Sequence, residues 1–465
     1  MLGVGQFAPR QCLTATRQDG LQFDVLYGAA GLRRLYQPHH HEMLFALLRH
    51  YGCPLTQQQL ARIEAGGGGV DGRGHAPTVA LVAPGGQACA ATVGPSDWCR
   101  GKHMQYAAVT GWGKCLPPAV LTNAELATVL PTDDEWIVSR TGIKERRISH
   151  VRLEELAYVA ASRALAAAGL QAADLDLIVF GTCSFDDQVP NQSSGLQLRL
   201  GAMSAAAMDV NTACTSFLYA LSTATAMIRS GVVQRALVVG GEVITPLMDW
   251  TNRNVAVLFG DGCAAVVLEA SDTEQGVLAE KLGCDAAARG TLVIQGMGSR
   301  YADFERRLGV TDWVFEGQEI FKRAVVGMSE ASAAVLAAKG LTAADLDLVV
   351  PHQANLRIIE AVARRAGLPA ERVFTNVHRY GNMSAATVPV ALVEALEEGR
   401  VPPNGLLLLP AFGAGLTWCA HLLRWGPRVL PLAQSEVQLP PCEHTALELV
   451  KSLISRRAAA VGTAV

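Results

Sequence analysis

The chain has 465 residues, 50% of them apolar and 17% charged, which is enough apolar material for one large core or two and excludes disorder throughout. A formal net charge of -3, with no run of Lys and Arg, excludes a nucleic-acid footprint and an anionic membrane surface as partners. Eleven cysteines without a CxxC pair suit a reducing cytosol, and MLGVGQFAPRQ lacks the basic and apolar regions of a signal peptide, so a cytoplasmic protein is expected.

Residues 1–104 hold PHHHEM at 38–43, the GGGG run at 66–69 and no alternation of strand and helix, and they read as an extension without an assigned role. QYAAVTGWGKCLP reads as the first core strand. AYVAASRALAAAGL then has a helical pattern stopped by Gly169, and the strand-like LDLIVF follows. Residues 210–228, VNTACTSFLYALSTATAMI, reach spanning length without a charge, but one Asn, one Cys, two serines and four threonines make them a buried core helix. ALVVGGEV reads as a covered strand and FGDGCAAVVLEA as a second one entered through a glycine turn.

The same order then recurs. GLTAADLDLVV at 340–350 agrees with GLQAADLDLIV at 169–179 at nine of eleven positions, and each copy follows an Ala-rich helix ended by glycine. In the second half a helix ends near Gly399, a strand GLLLLP follows, and Phe412-Gly413-Ala414-Gly415 answers Phe259-Gly260-Asp261-Gly262. Apolar runs without polar alternation mark strands covered on both faces by helices. The expectation is two similar α/β halves, 105–275 and 276–427, as two mixed sheets among three helical layers. Residues 428–465 form a tail with a Pro-rich link and one amphipathic pattern, HTALELVKSLISRR.

In α/β sheets ligands gather beyond the carboxyl ends of strands, so reactive side chains are sought where a strand passes into a helix. In MDVNTACTSF, Cys214 falls at the first turn of the uncharged helix, whose positive end is expected to lower the thiol pKa. In VVPHQANLRIIEAVARRAG, His352 precedes a helix capped by Asn355, with Leu356, Ile359, Val362, Ala363 and Ala366 as its apolar stripe, and a neutral imidazole is favoured there. In NVHRYGNMSAATVPVALVEALEEG, Gly381-Asn382 ends a strand-like segment before a helix for which Ser384 is a candidate cap. Alone, the cysteine fits a small core residue, the histidine a structural one and the asparagine a loop. Together they supply a nucleophile and two hydrogen-bond donors, and with no carboxylate at these junctions the set suits oxyanion stabilisation better than proton abstraction.

DVNTACTSF, PHQAN, YGNMSAA, the FGDG turn and the FGAGLTW ending, in this order over about residues 105–426, together resemble the β-ketoacyl-acyl carrier protein synthase III family. The resemblance implies a thiolase-like duplicated fold, two mixed β-sheets in a five-layer αβαβα sandwich, which accounts for the repeat. It implies a condensing acyltransferase that initiates fatty acid biosynthesis from an acyl-CoA primer and malonyl-acyl carrier protein. Cys214 would carry the acyl group, His352 and Asn382 would hold the enolate oxygen, and the backbone N–H groups of Cys214 and Ala414 would form an oxyanion hole. Trp136, Arg140 and Arg253 would contact CoA, with Phe412 and Val189 at the substrate. Lys322, Arg357, Arg364 and Arg365 would form a basic rim for the acidic carrier protein. A homodimer is implied, and no metal or redox cofactor. Val189 stands where the family often has an aromatic residue that closes the acyl pocket across the dimer, so longer or branched primers are expected. A starter-unit synthase of secondary metabolism is the nearest alternative; a non-catalytic acyl-binding partner is an alternative of another class. A type III polyketide synthase is disfavoured by HQANLR and FGDG, and a degradative thiolase by Asn382 where it needs a second cysteine.

Overall fold

The computed structural model of the chain describes residues 11–16, 22–27, 80–82, 88–89, 105–301 and 309–462. They belong to two compact units, Met1–His103 and Met104–Val465. In the first, β1 (Gln11–Thr16), β2 (Gln22–Tyr27), β3 (Ala80–Val82) and β4 (Ala88–Cys89) form an antiparallel sheet in that order. The PHHHEM and GGGG segments lie outside the described residues.

The second unit opens on the expected strand, β5 (Tyr106–Cys115), followed by α1 (Asp134–Thr141) and α2 (Leu153–Ala168). Its first half continues through β6 (Leu177–Gly181), α3 (Gln192–Leu200), β7 (Ala206–Val210), α4 (Ser216–Arg229), β8 (Arg235–Glu242) and β9 (Gly262–Ser271). The sheet order is β5-β9-β8-β6-β7, parallel among β8, β6 and β7 and antiparallel on both sides of β9. The second half runs β10 (Gly276–Cys284), α5 (Gly317–Ala337), β11 (Leu348–Val349), α6 (Leu356–Ala366), α7 (Thr387–Glu397), β12 (Leu406–Gly413) and β13 (Thr417–Arg424). Its sheet order is β10-β13-β12-β11, with one parallel pair, β11 with β12, beside two antiparallel ones.

The repeated stretch folds the same way twice. Gly169 at φ +71 and Gly340 at φ +65 stop the preceding helices in a left-handed turn that a side chain would strain. After each glycine a capping box, Gln171 with Asp174 and Thr342 with Asp345, winds one 3-10 turn, and β6 or β11 starts within three residues.

Five layers result. Phe217, Leu221 and Ile228 of α4 and Val388 and Leu392 of α7 pack between Val179 and Val238 of the first sheet and Leu407 and Leu409 of the second. Helix α2 covers the outer face of the first sheet through Ile178, Phe180, Leu237 and Val239, and α5 covers that of the second through Leu408 and Leu422. Sheets clad on both faces explain why these strands read as unbroken apolar runs, each fully buried Val, Leu or Phe contributing about 1.5–3 kcal/mol over an exposed one. The uncharged segment is α4, buried at the centre, and no helix among the described residues is long and apolar enough to cross a membrane.

One local reading differs. The strand-like NVHRY forms a short helix, Val377–Tyr380, because Val377 and Tyr380, three residues apart, both bury on one side before Gly381 ends the turn at φ +62. The tail does form its amphipathic helix, α8 (Ala446–Gly462), which buries Ala446 and Val450 against the cluster holding Leu121, Val257 and Trp313, while Arg457 reaches Asp312 at 2.8 Å.

Candidate active site

Cys214 lies in a 3-10 turn, Ala213–Thr215, just ahead of α4, with Ala213 at φ +53. The closing hairpin of the second sheet presses on this turn: a side chain at Gly413 would place its Cβ 2.9 Å from the Cys214 backbone nitrogen, so only glycine fits. Thr215 Oγ1 and Thr417 Oγ1, 2.8 Å apart, join the two sides. The expected lowering of the thiol pKa does not hold. Burial pushes the Cys214 thiol up to about 12, and the pull of the Ser384 hydroxyl and of its own backbone N–H is the smaller effect. The helix end supplies a favourable potential, but the sulfur has lost its water, so the resting group is a thiol.

His352 is fixed by its N–H to the Pro410 carbonyl at 2.9 Å, a continuation of the β11–β12 pairing. Burial depresses its imidazole to about 3, so it is neutral as expected. Its Nδ1 meets Thr387 Oγ1 at 2.5 Å, and Thr387 Oγ1 also lies 2.9 Å from the Ser384 carbonyl. When the single Thr387 hydrogen turns to Nδ1, Nε2 carries the imidazole hydrogen and is a donor. Asn355 caps α6 by accepting from the Arg357 N–H at 2.9 Å, and Gln353 takes the Asn376 and Val377 N–H groups at 2.9 and 3.2 Å, tying the histidine junction to the segment that leads to Asn382.

Asn382 is held by the FGDG turn. Its N–H donates to the Leu258 carbonyl at 2.8 Å and its carbonyl accepts from the Gly260 N–H at 3.2 Å. Asp261 braces that turn, accepting from the Ile244, Thr245 and Ser149 N–H groups and the Thr245 hydroxyl at 2.6–3.0 Å; burial raises its pKa to about 6 against them. The Asn382 Oδ1 accepts the Ser384 N–H at 2.8 Å, which leaves the Nδ2 hydrogens to donate. The Cys214 turn packs against the Ser384–Ala386 turn, so thiol, imidazole and carboxamide gather around Ser384.

The absence of a carboxylate near these junctions is also corrected. Glu242, at the end of β8, is fully buried and accepts the Ser384 hydroxyl at 3.0 Å. The acid closing the otherwise uncharged ALVVGGEV was the available signal. Ser384 does not cap a helix: at φ +47 its hydroxyl turns to Glu242, and the short turn and α7 that follow begin without a side-chain cap.

The three residues assigned to CoA come together. The Trp136 ring on α1 has the Arg140 guanidinium 4.5 Å and the Arg253 guanidinium 4.7 Å from its centroid, and Asn355 Nδ2 donates to the Arg140 carbonyl at 3.1 Å, which sets this group beside the start of α6. The basic rim is partly neutralised: Arg364 faces Glu360 at 3.9 Å and Arg365 faces Glu330 at 3.7 Å, whereas no ion pair among the described residues involves Lys322 or Arg357. Val189 is 83% exposed and directed away from its own chain's core. The Phe412 side chain packs with Ile320, Met328, Ile358 and Leu416, and Ala414 lies at the hairpin tip above Cys214.

A buried thiol, a neutral imidazole and a carboxamide gathered at the junctions of a duplicated α/β fold are the site of a thiolase-like condensing enzyme. Models of the two parts of 3-oxoacyl-[acyl-carrier-protein] synthase III match, the first at residues 208–286 and the C-terminal one at 336–425. The chain is 51% identical over 349 residues to β-ketoacyl-[acyl-carrier-protein] synthase III 2 of Vibrio cholerae, covering 75% of this chain and 96% of that one. It is 45% identical over 324 residues to the synthase III of a Roseiflexus species, covering 69% and 98%. The crystal structure of the Aquifex aeolicus 3-oxoacyl-[acyl-carrier-protein] synthase III superposes with a TM-score of 0.65 at 39% identity, over 69% of this chain and 100% of that one. The priming β-ketosynthase of the R1128 polyketide pathway gives 0.66 at 34%, over 70% and 98%. The chain belongs to the β-ketoacyl-[acyl-carrier-protein] synthase III family. It is a condensing acyltransferase of fatty acid biosynthesis.

Proposed function

We propose that Cys214, His352 and Asn382 divide the condensation between two half-reactions. In the first, Cys214 Sγ attacks the acyl-CoA carbonyl, the backbone N–H groups of Cys214 and Ala414 hold the oxyanion, and the thiol proton leaves, in net, with the CoA thiol. In the second, malonyl-acyl carrier protein loses CO2, the Nε2–H of neutral His352 and the Nδ2 of Asn382 hold the enolate oxygen, and the carbanion attacks the acyl-Cys214 carbonyl. The β-ketoacyl-carrier protein leaves and Cys214 is free again. The observation that carries this reading is Asn382, whose Oδ1 is occupied by the Ser384 N–H so that its Nδ2 is left to donate; the neutral His352 donates from Nε2 in the tautomer in which Thr387 gives its hydrogen to Nδ1.

Trp136, Arg140 and Arg253 bind the CoA nucleotide, and Lys322 and Arg357 meet the acidic carrier protein, with Arg364 and Arg365 at the edge of that surface. The enzyme is a homodimer: β7 ends its sheet with a free edge, and Val189, Leu198 and Met203 are 83%, 69% and 66% exposed. Val189 then reaches the partner's pocket, where its small side chain admits longer or branched primers. The reaction takes place in the cytosol and no step passes through a metal or redox cofactor. The likeness to the R1128 priming synthase supports a second reading, a starter-unit enzyme of secondary metabolism.

The test separates the half-reactions. Cys214→Ala abolishes acylation by acyl-CoA yet still decarboxylates malonyl-carrier protein, whereas His352→Ala and Asn382→Ala are acylated and do not decarboxylate. Acylation of Cys214→Ala, or full decarboxylation by both donor variants, overturns the division.

A further inference from the structure

The two half-reactions use three side chains, and a fourth residue that neither step consumes stands among them. Ser384 is one of three described non-glycine residues with positive φ, at +47. A serine held there needs strong partners, and its N–H and its hydroxyl each have one. Its N–H fixes Asn382 Oδ1 at 2.8 Å. Its carbonyl lies 2.9 Å from Thr387 Oγ1, the atom that meets His352 Nδ1. Its hydroxyl donates to Glu242 Oε1 at 3.0 Å, in a turn that packs against the Cys214 turn.

Glu242 itself is surrounded by donors. Thr182 Oγ1 lies 3.0 Å from Oε2, and Ser184 Oγ lies 2.5 Å from the same oxygen. Each of those hydroxyls already accepts a backbone N–H, from Ser184 and Val243 respectively, so each turns its own hydrogen to the carboxylate. The Cys183 N–H adds 3.2 Å contacts to both oxygens, the Cys183 thiol lies 3.3 Å from Oε1, and the Ala385 N–H lies 3.4 Å from it. Every close group is an uncharged donor and no ion pair among the described residues involves Glu242, so a carboxylate is kept inside the core by hydrogen bonds alone. An amide of the same shape would turn its NH2 against donors. A buried charge of this kind is a poor stabilising device and a good orienting one.

We propose that Glu242 and Ser384 are positioning residues of the condensing site: the buried carboxylate fixes the Ser384 hydroxyl, and Ser384 holds the Asn382 carboxamide in its working direction. This rests on the roles given above to Cys214, His352 and Asn382. Burial of the carboxylate and of the strained serine beside Asn382 is what that function requires, because a misdirected donor loses its effect on the enolate while the substrate still binds.

The experiment uses full-length Ser384→Gly and Glu242→Gln. Ser384→Gly keeps the N–H and carbonyl and suits the positive φ, so it deletes only the hydroxyl link. Rates are expressed per acylatable Cys214, which removes any unfolded fraction from the comparison. The expected result is a fall in kcat for condensation of at least about tenfold in both variants, with KM for malonyl-carrier protein within about twofold of the parent. Parental kcat in Ser384→Gly overturns the proposal, and so does a loss confined to KM. Cys214→Ala run alongside keeps the two levels apart: its loss of condensation with full activity in Ser384→Gly removes only the positioning role, whereas condensation by Cys214→Ala removes the nucleophile assignment itself.

Discussion

Asn382→Asp tests the enolate site with almost no change of shape. The carboxylate keeps an oxygen for the Ser384 N–H, now 2.8 Å from Oδ1, and the backbone bonds to Leu258 and Gly260 do not involve the side chain, so the local fold is expected to persist. What changes is the second terminal atom, from a donor to an acceptor facing the developing enolate oxygen. Losing one donor of an oxyanion site costs about 3 to 4 kcal/mol, and a hundred- to thousand-fold loss of kcat for decarboxylation is therefore the minimum expected. Asn382→Ala serves as the contrast. It removes the acceptor as well, stranding a buried Ser384 N–H at a cost of about 1–3 kcal/mol, so it loses thermal stability that Asn382→Asp keeps. The assay is release of CO2 from malonyl-carrier protein by the unacylated enzyme, with acylation by acyl-CoA measured separately. A decarboxylation rate in Asn382→Asp within tenfold of the parent refutes the assignment of Nδ2 as a donor.

Other outcomes follow from the same geometry. The His352 imidazole is depressed to about 3 from an ordinary 6.5, so the unfolded chain binds a proton that the folded one refuses: this residue's contribution to stability is present above about pH 6.5 and is lost as pH falls towards 3. His352→Gln should therefore flatten the acid-side decline in urea midpoint between pH 7.5 and 5, and an unchanged slope would contradict a buried neutral histidine. Lys322→Glu and Arg357→Glu should each raise KM for malonyl-carrier protein by about three- to tenfold, less so at high salt, without altering acylation by acyl-CoA. If acylation falls equally, the rim is not a carrier-protein surface. Val189→Phe should sharpen preference for acetyl-CoA over branched and longer primers in competition assays, and an unmoved primer profile would show that position 189 does not bound the acyl pocket.

Most of the architecture was legible because the chain states it twice. GLxAADLDL encodes a glycine helix stop, a capping box and a strand start in nine letters, and each copy folds by those local rules. Cys214 and His352 stand where the strand-to-helix rule looks for reactive side chains, and Asn382 was singled out by the same rule although a short helix, not a strand, precedes it. The support around them was not. Nothing in MSAA announces that a serine will hold φ +47 or that its hydroxyl will meet Glu242, a residue 142 positions away. The thiol pKa was misread for a related reason: the helix end is visible in sequence, but the desolvation that outweighs it comes from packing of β12, the Ser384 turn and α4. NVHRY was misread because two residues three apart chose burial over alternation.

In the proposed reaction one thiol, Cys214, carries the acyl group between two thioester substrates. Intact-protein mass spectrometry follows that transfer after incubation with acetyl-, butyryl-, isobutyryl- and octanoyl-CoA and then with malonyl-carrier protein. One acyl adduct is expected, absent from Cys214→Ala, that disappears as β-ketoacyl-carrier protein forms. An adduct that survives the addition of malonyl-carrier protein, or one that forms equally on Cys214→Ala, would contradict it.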